Sequence, residues 1–123
     1  YTHPVWEEIQ NSFKRKFENK TRSSLSEYIF SKKAYLQYGF YPYPLGWYSD
    51  DRAWFEFSNG KPIYSINDAI VFIRNSPFNI SGSKDNLCLK KESKRQFLRF
   101  LIIEKNELFA FFFKIFQDFF IIF

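Results

Sequence analysis

The sequence predicts an α/β chain: a few short strands packed by helices, ending in a helical C-terminal tail. Apolar residues recur at helical spacing in two long stretches, 5–18 and 85–105. Between them, short apolar runs bounded by Gly, Pro, Asn and Asp read as strands and turns. The 123 residues allow one domain, or part of a larger one, and suffice to bury a core.

In the first helix, Val5, Trp6, Ile9, Phe13 and Phe17 share one face, with Pro4 suited to the first turn behind Thr2 or His3 as cap. Glu7 and Glu8 then fall in that first turn and Lys14 to Lys16 near the other end. The helix macrodipole accounts for both, so the acidic pair is given no catalytic role. His3 is the only histidine, a surface or capping residue on this reading, and no metal site can be built from it.

Leu25 to Phe30 partly alternates and is rich in strand formers, so a short strand is expected there. Ser24 and Glu27 also fit the S-x-x-E capping box, which makes a helix start the competing expectation. At a strand end, Glu27 would point into the same cleft as Asp50. Ser31 caps a short helix, 32–38, that stops at Gly39. Phe40-Tyr41-Pro42-Tyr43-Pro44-Leu45-Gly46 cannot be regular helix, because each proline removes a donor. Such an aromatic loop packs on its own core or offers a platform for sugar rings or bases.

The stretch that reads as chemistry follows: Gly46-Trp47-Tyr48-Ser49-Asp50-Asp51-Arg52-Ala53-Trp54. Ser49 is expected to cap a helix over 50–58, closed by Asn59-Gly60. Asp50 and Asp51 then either serve only the helix dipole or face a cleft. Ile63 to Ile66 and Ala69 to Arg74 read as two short strands, the second buried because its apolar run is continuous. An arginine at the end of a buried strand is paired or reaches a ligand, which singles out Arg74. Residues 75–83 form a polar loop. Asn19-Lys20-Thr21 and Asn79-Ile80-Ser81 match glycosylation sequons, but so short a pattern is common by chance.

In the helix over 85–105, Phe97, Leu98, Leu101 and Ile102 make the apolar stripe, with Lys90, Lys91, Lys94, Arg95 and Arg99 opposite. The tail from Glu107 to Phe123 is almost all Phe and Ile, interrupted by Glu107, Lys114 and Asp118 at helical spacing. It is short and interrupted for a membrane span, and fits docking on protein or on a membrane surface. The expected division is 1–82 and 83–123.

Aromatic content is 24%, with 18 Phe and no Met, part of which an AT-rich genome would write without functional meaning. The absence of an initiator Met suggests a chain lacking its N-terminal portion. The single cysteine, Cys88, excludes an internal disulfide and a cysteine metal cluster, and is expected to be buried or inert. The net charge of +5 suits nucleic acid, an anionic membrane or a phosphorylated substrate, and equally a solvated helix face.

From Ser26 to Gly82 the sequence resembles the C-terminal part of the catalytic domain of family 2 glycosyltransferases, especially the type found in Bacteroidetes. The matching residues are Ser26 to Tyr35, then Gly39-Phe40, then Pro44 to Trp54, then the stretch ending in Arg74 and the loop to Gly82. The resemblance implies a partial GT-A-like fold whose acidic pair holds the general base. Asp51 matches the base and Asp50 an orienting or acceptor contact, where the family often has Glu-Asp. Trp47, Tyr48 and Trp54 would shape the acceptor side.

Two departures matter. The family's Asp-x-Asp metal motif and nucleotide-binding half have no counterpart here, so this chain alone should bind no nucleotide, metal or other cofactor and be inactive. Arg74 stands where many members carry a histidine, and could neutralise a diphosphate but not ligate a metal. In the complete enzyme the resemblance implies a nucleotide-sugar donor, a glycan or lipid-linked acceptor, a divalent Mg or Mn ion and no nucleic acid. The expected location is the cytoplasm, at the inner face of the membrane, with peripheral contact through the Phe-rich tail. The rival reading is a non-enzymatic basic and aromatic module for nucleic acid or an anionic membrane surface.

Overall fold

The computed structural model describes residues 2–21, 24–74, 76, 78–79 and 84–104. They form a mixed α/β fold: a two-stranded sheet, several helices and one long helix towards the C-terminal end. In chain order these are β1 (Trp6–Glu7), α1 (Ile9–Phe17), α2 (Lys32–Tyr38), α3 (Ser49–Ser58), β2 (Ile63–Tyr64) and α4 (Leu87–Glu104). Short 3-10 turns at Leu25–Glu27 and Pro44–Gly46 precede α2 and α3. The Phe- and Ile-rich tail, expected to be helical, lies outside the described residues.

The first helix begins later than its periodicity suggests. Val5 to Glu7 are taken by antiparallel pairing, Trp6 against Tyr64 and Glu7 against Ile63, with the Ser65 amide donating to the Val5 carbonyl at 2.8 Å. Glu7 is therefore a buried strand residue and not a first-turn acid. Its carboxylate takes a two-pronged ion pair from Arg15, half of it a 2.8 Å bond from Nε. Just upstream, His3 and Asn67 exchange backbone and side-chain hydrogen bonds of 3.1 and 2.8 Å, which ties the N-terminal segment to the chain beyond β2.

The strand expected at 25–30 is replaced by a 3-10 turn, and the capping box decides it. The Glu27 carboxylate accepts from the Ser24 amide at 3.1 Å while Ser24 Oγ accepts from Ser26 at 3.4 Å. The second helix matches its expectation: Ser31 Oγ accepts from the Ala34 amide, and Gly39 ends it at a φ of 63°. The segment 69–74 is the clearest correction. It forms no strand, and Ile70 and Phe72 are 80% and 92% exposed. High strand propensity finds no ladder partner among the described residues.

One core joins α1, the proline-rich loop and α4. Ile9 and Phe13 of α1, Tyr43 of the proline-rich loop, and Phe97, Phe100 and Leu101 of α4 are all buried together. The loop is sealed to α4 by Ser93, whose fully buried hydroxyl reaches the Pro44 carbonyl at 2.7 Å and the Leu89 carbonyl at 3.0 Å. The α4 stripe is rotated from its expected position: Ser93 and Phe100 are inside, whereas Leu98 and Ile102 are only half-buried. Cys88, expected to be buried or inert, is exposed.

Candidate functional site

Both acidic residues stand in the first turn of α3, as expected, but the turn leading into it is built differently. The helix starts at Ser49, and Tyr48 is the residue before it, in the left-handed conformation at φ 68°. Leu45 and Gly46 also have positive φ, at 58° and 66°. Left-handed backbone is costly for residues as bulky as Leu and Tyr, of order 1–3 kcal/mol each, and such strain gathers at functional sites. Tyr48 is held there by stacking on Phe97 of the core, ring centroids 5.1 Å apart. Ser49 caps nothing: its Oγ is buried without a hydrogen-bond partner.

This entry turns the two carboxylates differently. Asp50 is half-exposed, whereas Asp51 is buried at 7% exposure and points towards α1. There Lys16 Nζ meets Asp51 Oδ1 in an ion pair between two largely buried side chains. Burial pushes the Asp51 carboxyl above the usual carboxylate range; Lys16 opposes that shift and Asp50 adds to it. Burial, and then the Asp51 charge, also raise the Tyr48 phenol.

Beside the ion pair is a small recess lined by Ser12, Lys16, Thr21, Tyr28, Asp51 and Trp54, with Phe13 and Ile63 as its apolar floor. Its free volume is about 10 Å³, enough for a single water or hydroxyl group. Trp54 is 7% exposed and stacked face to face on Tyr28, centroids 4.4 Å apart. Its Nε1 is a second buried polar atom with no partner. Buried donors of this kind are rare in folded proteins.

The structure gathers Asp51 and Trp54 into this recess and leaves other expected site residues elsewhere. Trp47 lies under the Lys90 ammonium, 4.7 Å from ring centroid to nitrogen. Glu27 accepts the Ser24 amide in its capping box. Arg74 is exposed and does not line the recess. In the aromatic loop Tyr43 packs into the core, whereas Phe40 and Tyr41 are exposed. Among the described residues no group of three or more His, Cys, Asp or Glu can hold a metal ion.

Two basic residues flank Asp51 through contacts that sequence spacing alone does not give. Lys16 meets Asp51 only after folding brings α1 onto α3. Arg52, next to Asp51, turns to the opposite side. Its guanidinium donates to Glu56 at 3.2 and 3.3 Å and to Tyr43 Oη at 3.3 Å, and lies 4.2 and 4.0 Å from the ring centroids of Tyr41 and Phe100. An ion pair to Glu104 at 3.8 Å adds α4 to the same knot. No family model, curated protein or solved structure matches this chain.

Proposed function

We propose that this chain is the acceptor-side part of a family 2 glycosyltransferase with a GT-A-like catalytic domain, and that Asp51 is its general base. The observation that carries the reading is the Asp51 carboxylate itself: buried, raised in pKa, held by Lys16 at one oxygen and open to a recess of hydroxyl size. A carboxylate whose pKa moves towards neutrality is a stronger base while still ionised at working pH. The order of residues from Ser26 to Gly82 supplies the family.

In the proposed reaction the acceptor hydroxyl gives its proton to Asp51 as its oxygen attacks the anomeric carbon. The new C–O bond forms as the bond to the nucleoside diphosphate breaks, and the electron pair leaves with the diphosphate. Asp50, half-exposed at the same helix mouth, orients the acceptor, and Trp54 in the recess shapes its side of the cleft. Arg74, free to reach outward, neutralises the diphosphate in the complete enzyme. A divalent metal would act on that diphosphate, and its ligands would come from outside the described residues. In this scheme 1–82 belongs to the catalytic domain and 83–123 is a helical extension, in an enzyme of the cytoplasmic face.

The test is Asp51→Asn in the complete enzyme. Sugar transfer is expected to fall by roughly 10²–10⁴-fold, the usual worth of a positioned base, with unchanged circular dichroism and a cooperative unfolding transition to show that the variant folds. Wild-type turnover in a folded variant rules the base role out.

A further inference from the structure

Beyond β2 the chain runs Asp68-Ala69-Ile70-Val71-Phe72-Ile73-Arg74, five consecutive apolar residues between an acid and a base. Ile70, Val71, Phe72 and Ile73 are 80%, 46%, 92% and 55% exposed. Among the described residues this segment belongs to no helix or strand, and none of its backbone groups takes part in a hydrogen bond. Asp68 and Arg74 are exposed as well and have no ion-pair partner among the described residues. Ile, Val and Phe are strong strand formers. An unpaired row of N–H and C=O groups beside such side chains is a template for another strand.

We infer that residues 68–74 form a self-pairing strand, through which two copies of this chain join antiparallel about a two-fold axis at Val71. Charge complementarity selects both the partner and the register. Pairing about Val71 sets Asp68 of each copy opposite Arg74 of the partner subunit. An in-register parallel pair would instead set acid beside acid and base beside base, which is destabilising. The same register places Ile70 opposite Phe72 of the partner subunit, a favourable aromatic and β-branched pair. Ala69 and Ile73 meet in the same way on the other face, because alternate residues of a strand share a side. Both copies use the same edge, so the contact closes as a dimer. Nucleic acid or an anionic surface would not select this segment, since its two charges cancel. Lipid would cover its apolar side chains but leave its backbone groups unpaired, at a high cost. Arg74 keeps its capacity for an anion, because a guanidinium has more N–H donors than one carboxylate takes. The inference does not depend on Asp51 or on any transfer reaction.

The experiment is sedimentation velocity of the full chain over a concentration series, with amide hydrogen exchange on the same samples. Reducing buffer keeps the exposed Cys88 from cross-linking copies. A monomer–dimer equilibrium is expected, with exchange slowed at alternate amides of 69–73 in the dimer alone. Asp68→Lys should weaken the dimer about tenfold, because both cross-strand charge pairs turn from attraction to repulsion. Arg74→Asp should do the same, and Asp68→Lys/Arg74→Asp should restore the original affinity. The two single variants change the net charge in opposite directions, so a shared loss reports the pair itself. Both positions are exposed, and circular dichroism checks that each variant folds. A chain that stays monomeric at every concentration, even if it takes up a strand of some other protein, would overturn the inference. So would a dimer indifferent to Asp68→Lys, a double variant that does not recover, or exchange at 69–73 that dimerisation leaves unchanged.

Discussion

Asp51 and Arg52 are neighbours on α3 and are both largely buried, yet their surroundings differ in kind. Arg52 is engaged on every side: two bonds to Glu56, one to Tyr43, two aromatic faces and an ion pair to Glu104. Its charge is consumed in holding α3, the proline-rich loop and α4 together. Asp51 has one ion-pair partner, a raised pKa and a recess beside it. A saturated buried charge is structural, whereas one with unused hydrogen-bonding capacity next to free space can do chemistry. The helix thus carries an anchor and a candidate site in adjacent positions, and each should fail in its own way.

The largest expected effect is on the anchor. Arg52→Ala leaves Glu56 without its partner and strips contacts from Tyr41 and Phe100. It should cost about 3 kcal/mol of stability, measured by chemical denaturation. A loss below about 1 kcal/mol would mean that the knot is ornamental and would dissolve the contrast with Asp51.

Lys16→Met should cost less, about 2 kcal/mol at neutral pH, because it breaks a single ion pair where Arg52→Ala breaks several contacts. Left without Lys16, the buried carboxyl can take up a proton. The cost should therefore shrink as pH falls, which denaturation at neutral and acidic pH checks. A pH-independent cost would show that Lys16 acts by packing alone.

Asp51 itself makes a pH prediction with a definite sign. Its folded pKa is raised above the ordinary 3.8, so the native state binds the proton more tightly than the unfolded chain. Its contribution to stability is full below that ordinary value and is lost as pH rises through the folded pKa. The unfolding free energy of the unaltered chain, measured relative to Asp51→Asn, should accordingly decline over that window. A rising difference would contradict a carboxyl raised by burial. The smallest effect is expected from Tyr43→Phe, which removes the 3.3 Å bond from Arg52 but leaves the ring in the core. About 0.5–1 kcal/mol should be lost in denaturation, and a cost comparable with Arg52→Ala would place the anchor at Tyr43 instead.

What the sequence made legible follows the range of the interaction. The helices α2 and α3 end at Gly39 and at Asn59-Gly60 because left-handed caps are written locally. The acidic opening of α3 was legible for the same reason. At Leu25 to Phe30 two local signals conflicted, and the capping box won over strand propensity because two hydrogen bonds are made within four residues. Ala69 to Ile73 shows the opposite failure. Strand propensity needs a neighbour to pair with, and among the described residues none is there. Glu7 was misassigned to a helix because β2, more than fifty residues later, claims its backbone. Lys16 was passed over as a solvated charge, since its partner on α3 is decided by tertiary packing, and so are the contacts of Arg52 beyond its own helix. The recess and the unpartnered Trp54 Nε1 had no sequence signal at all.

The central claim is that the buried Asp51 carboxyl, tuned by Lys16, is the group whose ionisation switches the reaction on. The most direct test compares two titrations in the complete enzyme: the Asp51 carboxyl by carbon-detected NMR, and the acid limb of kcat/KM for sugar transfer. The two pKa values should coincide. Lys16→Met should move both upward together, and Lys16→Arg should return both towards the original value. An acid limb that stays in place while the Asp51 carboxyl shifts would show that some other group is the base.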